Sequence, residues 1–178
     1  MWGDGAQGQL GDGATLDRPL PVRGPFGLGF VQVDAARSHM CGRTAAGRAF
    51  CWGDNSGRGL LGNNSDQRFV TPVRVGTLDD LIDISSAQEH NCAIEMGGQI
   101  WCWGDNRYGQ LGIPNATASS SRVPVMAQVD DAIQVFAGGG TSTLGSAENY
   151  TCALRPLPAA SGNRVSCWGA NEAGQLGD

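Results

Sequence analysis

The sequence predicts an all-β chain built by repetition, and three observations carry that prediction. First, a ten-residue stretch, Trp103-Gly104-Asp105-Asn106-Arg107-Tyr108-Gly109-Gln110-Leu111-Gly112, is written four times. It recurs as Trp2 to Gly11, as Trp52 to Gly62 with one residue more, and as Trp168 to Gly177. The four tryptophans stand 50, 51 and 65 residues apart, and self-similarity at a period of this size marks a repeat architecture. Second, the 178 residues include 28 glycines but only 16% charged and 7% aromatic side chains, a mix that suits short strands and tight turns better than helices. Third, short apolar runs between the motifs alternate with the period of two that strands require.

Each of three complete units repeats one order of elements. After the Trp-Gly segment and a polar loop comes a Pro-Val step, at Pro21-Val22, Pro72-Val73 and Pro124-Val125. Proline donates no ladder hydrogen bond, so this strand is expected at a sheet edge. Next come Phe30-Val31-Gln32-Val33, Leu81-Ile82-Asp83-Ile84 and Ala132-Ile133-Gln134-Val135. Strand periodicity puts Val31 with Val33, Ile82 with Ile84, and Ile133 with Val135 on one face. A corner of small residues leads into a hairpin. Its turn is Ala45-Ala46-Gly47 in the first unit and Met96-Gly97-Gly98 in the second, with glycine at the third loop position, where the backbone must turn left-handed. Four short antiparallel strands per unit make one blade of a β-propeller. The chain is read as a single region, 1–178, with blades at roughly 12–62, 63–112 and 113–177. Three blades are fewer than closure needs, and the chain starts and stops within a motif, so a segment of a larger propeller is expected.

The third unit is longer. About nine extra residues fall between Gly138 and Tyr150, and five more lengthen the hairpin loop, where Cys152 and Cys167 are 15 apart against 10 in the other units. Insertions of this kind sit on loops and often on the binding face. A tolerated loop of no consequence is an equal reading.

Six cysteines fall in pairs on the two arms of each hairpin: Cys41 and Cys51, Cys92 and Cys102, Cys152 and Cys167. The three-residue turns set Cys41 opposite Cys51 and Cys92 opposite Cys102, and directly opposed positions bring Cβ atoms to about 4.5–5.5 Å or closer. A bridge over such a loop stabilises by roughly 2–3 kcal/mol in the chain-entropy model. Disulfides are the leading reading and place the protein in an oxidising compartment, extracellular, cell-surface or periplasmic. Free buried thiols are the open rival. The spacing does not suit a zinc site, and a catalytic thiol would not be copied in pairs into every unit.

The net charge is −5, with 12 basic side chains scattered along the chain. Nucleic-acid binding needs a concentrated basic face, so nucleic acid is not an expected partner. No apolar run reaches the roughly 18 residues of a membrane span, and the first residues lack the basic and apolar regions of a signal peptide. Gly3-x-Gly5-x-x-Gly8 and Gly57-x-Gly59-x-x-Gly62 spell the dinucleotide fingerprint, but neither leads from a strand into a helix, so turn glycines account for them. Gly138-Gly139-Gly140 has no nucleophile elbow beside it. Asn63-Asn64-Ser65, Asn115-Ala116-Thr117 and Asn149-Tyr150-Thr151 are glycosylation sequons. No acid–base pair, nucleophile set or metal cluster recurs. The expectation is a non-enzymatic protein with no catalytic residues, cofactor or metal.

Trp-Gly-Asp/Asn-Asn-x-x-Gly-Gln-Leu-Gly at about 50-residue spacing, after a His-x-Cys hairpin, resembles the repeat of the regulator of chromosome condensation (RCC1) family over nearly the whole chain. The resemblance implies a seven-bladed fold, of which this chain holds about three blades. Within it, Trp52, Trp103 and Trp168 are expected to fill the wedge between stacked blades. Gly109 and Gly112 allow a tight turn, Leu111 anchors it, and Gln110 satisfies backbone groups there. The leading function is a protein-interaction scaffold, secreted or cell-surface, whose partner is an unidentified protein. The contact surface is expected at the inserted loop (Gly139, Thr141, Asn149) with Tyr150, His39 and His90, although a structural hydrogen-bonding role is the stronger reading of both histidines. The resemblance also implies two alternatives: guanine-nucleotide exchange on a small GTPase, and secreted inhibition of an enzyme. The apolar end faces are expected to meet further blades or to self-associate.

Overall fold

The computed structural model describes residues 1–24, 27–114, 118–140, 148–157 and 162–177. Among these, every named element is a strand, and the strands form three antiparallel meanders. The first sheet is β1 (Phe30–Ala35), β2 (His39–Thr44), β3 (Ala49–Gly53) and β4 (Phe69–Arg74), hydrogen-bonded in that order. The second is β5 (Leu81–Ser86), β6 (His90–Glu95), β7 (Ile100–Asp105) and β8 (Ser120–Met126). The third has three described strands, β9 (Gln134–Gly138), β10 (Tyr150–Pro156) and β11 (Asn163–Gly169). No helix of the described residues is long and apolar enough to cross a membrane.

The sheets are blades of an open propeller because each buries its faces against its neighbours. Cys41, Ala49 and Cys51 of the first sheet close over Leu81, Ile84, Ala93 and Trp103 of the second. Cys92, Ile94, Ile100 and Cys102 of the second close over Ala132, Val135 and Ala153 of the third, with Trp168 packed alongside. Burial of these apolar side chains is the main force holding the stack. The inner strands β1, β5 and β9 lie side by side and are stitched by polar groups. The Asp34 carboxylate accepts the Ser86 N–H at 2.7 Å. Asp83 accepts from Gln32 at 2.8 Å and from the Val135 N–H at 2.9 Å.

The hairpin turns also join the sheets. Gly47 and Gly98 have φ of 71° and 88°, and their carbonyls accept the N–H of Leu81 and Ala132, at 2.9 and 3.0 Å. Each turn therefore pins the entry to the next blade.

The structure departs from the strand reading in four respects. Pro72-Val73 and Pro124-Val125 lie in the edge strands β4 and β8, but Pro21-Val22 belongs to no strand. Its segment is held instead by the N-terminal residues, through a Gly3–Arg18 bridge and a Val22 N–H donated to the Met1 carbonyl at 2.7 Å. Ile82 and Ile84 do not share an environment: the ladder slips between Leu81 and Asp83, and this bulge leaves Ile82 exposed beside a buried Ile84. Ile133 precedes β9 and is exposed, whereas Val135 is buried. Finally, sheets and sequence units are offset. The Pro-Val strand pairs backwards onto the preceding hairpin (Cys51 opposite Val73, Cys102 opposite Val125), so the first two sheets span 30–74 and 81–126.

Candidate interaction surface

The motif residues build the joints between blades. Each indole N–H is donated to a main-chain carbonyl in the preceding Gly-x-Leu-Gly turn: Trp52 to Gln9 at 2.9 Å, Trp103 to Leu60 at 3.0 Å and Trp168 to Gln110 at 2.9 Å. Trp52 and Trp103 are completely buried. The turn itself is held from inside. Gln110 accepts the Tyr108 N–H through Oε1 at 2.9 Å and donates through Nε2 to Asp105 at 2.7 Å. Asn106 accepts the Leu111 N–H at 3.0 Å, as Asn55 does for Leu61 and Asn171 for Leu176. Leu111 is buried in the second core.

The cysteines form three bridges, Cys41–Cys51, Cys92–Cys102 and Cys152–Cys167, each between directly opposed residues with Cα atoms 4.1 Å apart. No free cysteine is present among the described residues.

The histidines lie in the same joints and away from solvent. His39 Nε2 meets Asn91 Oδ1 of the next blade at 2.8 Å, and His90 Nε2 meets Thr151 Oγ1 of the blade after at 2.8 Å. Both are fully buried, as is Asn149. Placing these three on a contact surface is therefore corrected: a partner cannot reach them while the blades are stacked. At the end of the third sheet Gly139 is exposed and Tyr150 is half-buried. Thr141 lies outside the described residues, with most of the inserted loop and the Asn115 sequon. In the Asn149 sequon both Asn149 and Thr151 are buried, which denies a glycan its acceptor in the folded chain.

What the loop end does expose is polar. The corners after β1 and β5, the loop after β3 and the N-terminal segment surround a cleft of about 450 Å³, whose lining includes Asp4, Gln7, Arg37, Asp54, Arg58 and Glu89. A charge ladder joins the first two blades beside it, and a neutral amide ties it to the third. Glu89 of the second blade receives Arg58 from the first, Arg107 at 2.7 Å and Asn149 of the third at 3.4 Å. Arg107 also reaches Asp105 at 2.8 Å, whose side chain is almost wholly buried. Arg37 is exposed and has no ion-pair partner among the described residues. Interlocked partial burial makes this ladder stiffer than isolated surface pairs. No group of three or more His, Cys, Asp or Glu that could hold a metal occurs among the described residues.

Sequence reasoning missed Arg58, Glu89 and Arg107, which do not recur from unit to unit. It also missed Asn55, Asn106 and Asn171, which do: their fixed place, three residues after each tryptophan, was the available signal.

Comparison with known proteins agrees with this architecture. The family model described as the Regulator of chromosome condensation (RCC1) repeat matches residues 1–42, 46–94 and 97–144, and a second RCC1 repeat model matches 30–59 and 82–110. The chain is 32% identical over 117 residues to the mitochondrial RCC1 domain-containing protein RUG3 of Arabidopsis thaliana, a match covering 64% of this chain and 26% of that protein. It is 29% identical over 162 residues to the human E3 ubiquitin-protein ligase HERC2, covering 89% of this chain and 3% of that protein. Its fold superimposes on yeast RCC1 (Prp20), solved with Kap60 bound, with a TM-score of 0.61 at 21% identity, over 85% of this chain and 38% of that one. The chain thus spans about a quarter of RUG3 and a far smaller part of HERC2. Matched by the family model over most of its length, the chain belongs to the RCC1 repeat family.

Proposed function

We propose that the chain is a non-enzymatic protein-interaction module that presents the loop end of its blades to another protein. The observation that carries this reading is the polar cleft across the first two blades, stiffened by the Arg58–Glu89–Arg107–Asp105 ladder. A preorganised surface binds a partner without first paying to order its own side chains. Arg37 stands at its rim with no ion-pair partner among the described residues, and charged groups so placed steer and select partners. The complex of yeast RCC1 with Kap60 supports the reading by example, since a protein of this fold there engages another protein. The three disulfides support an oxidising compartment, secreted or at the cell surface.

The test is quantitative affinity capture with wild-type chain, Arg37→Glu and Met96→Gln, the last being exposed at the opposite end of the second blade. Partners retained by wild type and Met96→Gln but lost with Arg37→Glu are expected. Loss with Met96→Gln alone would move the surface to the other end. A panel of small GTPases loaded with fluorescent guanine nucleotide is expected to release it no faster when the chain is added. Accelerated release would replace this proposal with nucleotide exchange.

A further inference from the structure

The two buried histidines occupy equivalent places, and their hydrogen bonds fix their protonation. Asn91 donates its Nδ2 to the Leu60 carbonyl at 2.9 Å, so its Oδ1 is the acceptor that faces His39. Thr151 donates its hydroxyl hydrogen to the Gln110 carbonyl at 2.8 Å, so its oxygen accepts from His90. Each imidazole therefore carries its proton on Nε2. Each Nδ1 is bare, buried and without a hydrogen-bond partner. The carbonyls of Leu60 and Gln110 are the same ones that receive the Trp103 and Trp168 indoles. Both seams between blades thus run through one relay: histidine of one blade, polar side chain of the next, motif carbonyl, tryptophan.

We infer that this relay makes the stacking of the blades acid-labile, because a second proton on either imidazole has no acceptor to receive it. A charged imidazole would carry an N–H pointing into a sealed joint, and a buried donor without a partner disfavours the closed form. The charged neighbours do not rescue it. Around His39 stand Asp34 on β1 and Asp54 after β3, which favour a charge, yet burial outweighs them and holds the imidazole below its ordinary value. Burial pushes His90 down to about 3, and His39 adds to the effect. The nearby carboxylates of Glu89 and Asp105 are already taken by Arg58 and Arg107.

The sign follows from proton uptake. Above about pH 6.5 both states hold neutral imidazoles and the histidines contribute nothing to the pH dependence. Below it the opened chain takes up protons that the stacked chain refuses, so stability falls as pH falls. The experiment compares wild type with the double variant His39→Gln, His90→Gln, in which each amide keeps an N–H for the same acceptor and cannot be protonated. Urea unfolding followed by tryptophan fluorescence at pH 7.5, 6 and 5 is expected to show the wild-type folding constant dropping by up to about 100-fold per pH unit below 6, tenfold for each histidine, with a much shallower drop in the variant. Equal acid sensitivity in the two proteins would overturn the proposal. Should the variant fail to fold, nitrogen-15 spectra of the wild-type imidazoles decide. Bare Nδ1 signals that persist until the indole signals shift with them support the relay. Histidines that protonate near pH 6.5 in an otherwise unchanged spectrum overturn it.

Discussion

Gly109 and Gly112 stand in one turn with left-handed backbone, φ 78° and 66°, yet only one of them touches a neighbour. A methyl group built on Gly109 meets nothing within 4 Å, whereas on Gly112 it lies 2.7 Å from the Trp168 indole nitrogen. Gly109→Ala is therefore expected to cost only backbone strain, about 1 kcal/mol. Gly112→Ala adds a collision with a ring held by its own hydrogen bond, for a total of about 2–4 kcal/mol. Denaturant midpoints of the two variants would measure the difference, and equal losses would contradict the packing described. At this scale the sequence was readable wherever a residue type recurs: the tryptophans, the glycines and Gln110 all sit where repetition placed them. It was silent about the histidine partners, because the position before the first cysteine of each hairpin is Met40, Asn91 or Thr151, with no shared chemistry. Nor can periodicity say that a neighbouring blade covers His39 and His90. Surface and seam look alike in one dimension.

Hairpins were the most legible elements, since a three-residue turn ending in glycine fixes which residues oppose each other, and the cysteine pairs follow from that register. The fourth strand was less so. Its Pro-Val step lies between two hairpins along the chain, and the sequence does not reveal that it pairs with the earlier one. The bridges differ in their surroundings. Cys41, Cys51, Cys92 and Cys102 are completely buried between blades, while Cys152 and Cys167 are half-buried on the outer face of the third sheet. Mild reductant under native conditions, followed by alkylation and mass spectrometry, is expected to label Cys152 and Cys167 first, because exchange requires a thiolate to reach sulfur. Simultaneous labelling of all six would mean that the blades open together before reduction.

Across the whole molecule, the same side-chain position is buried or bare according to whether a blade stands beside it. Ile84 is 1% exposed and its counterpart Val33 52%; Ile100 is fully buried and its counterpart Val165 is 65% exposed. The two outer faces of the stack therefore carry apolar surface of the kind that joins blades internally, and exposed patches of this sort drive association. Sedimentation of the isolated chain is expected to show concentration-dependent self-association that weakens in Val165→Arg. A monomer with a sharp, concentration-independent melt would count against it. The offset between sheets and sequence units has a consequence for how such chains change length. Excising residues 63–112 would hand β8 to β3 in the place of β4, and would set His39 against Thr151, a hydroxyl that already serves His90. Unequal recombination between neighbouring copies thus yields another chain with matched edges and a working latch, one sheet shorter, so the genome can trim or extend the array without inventing a new join.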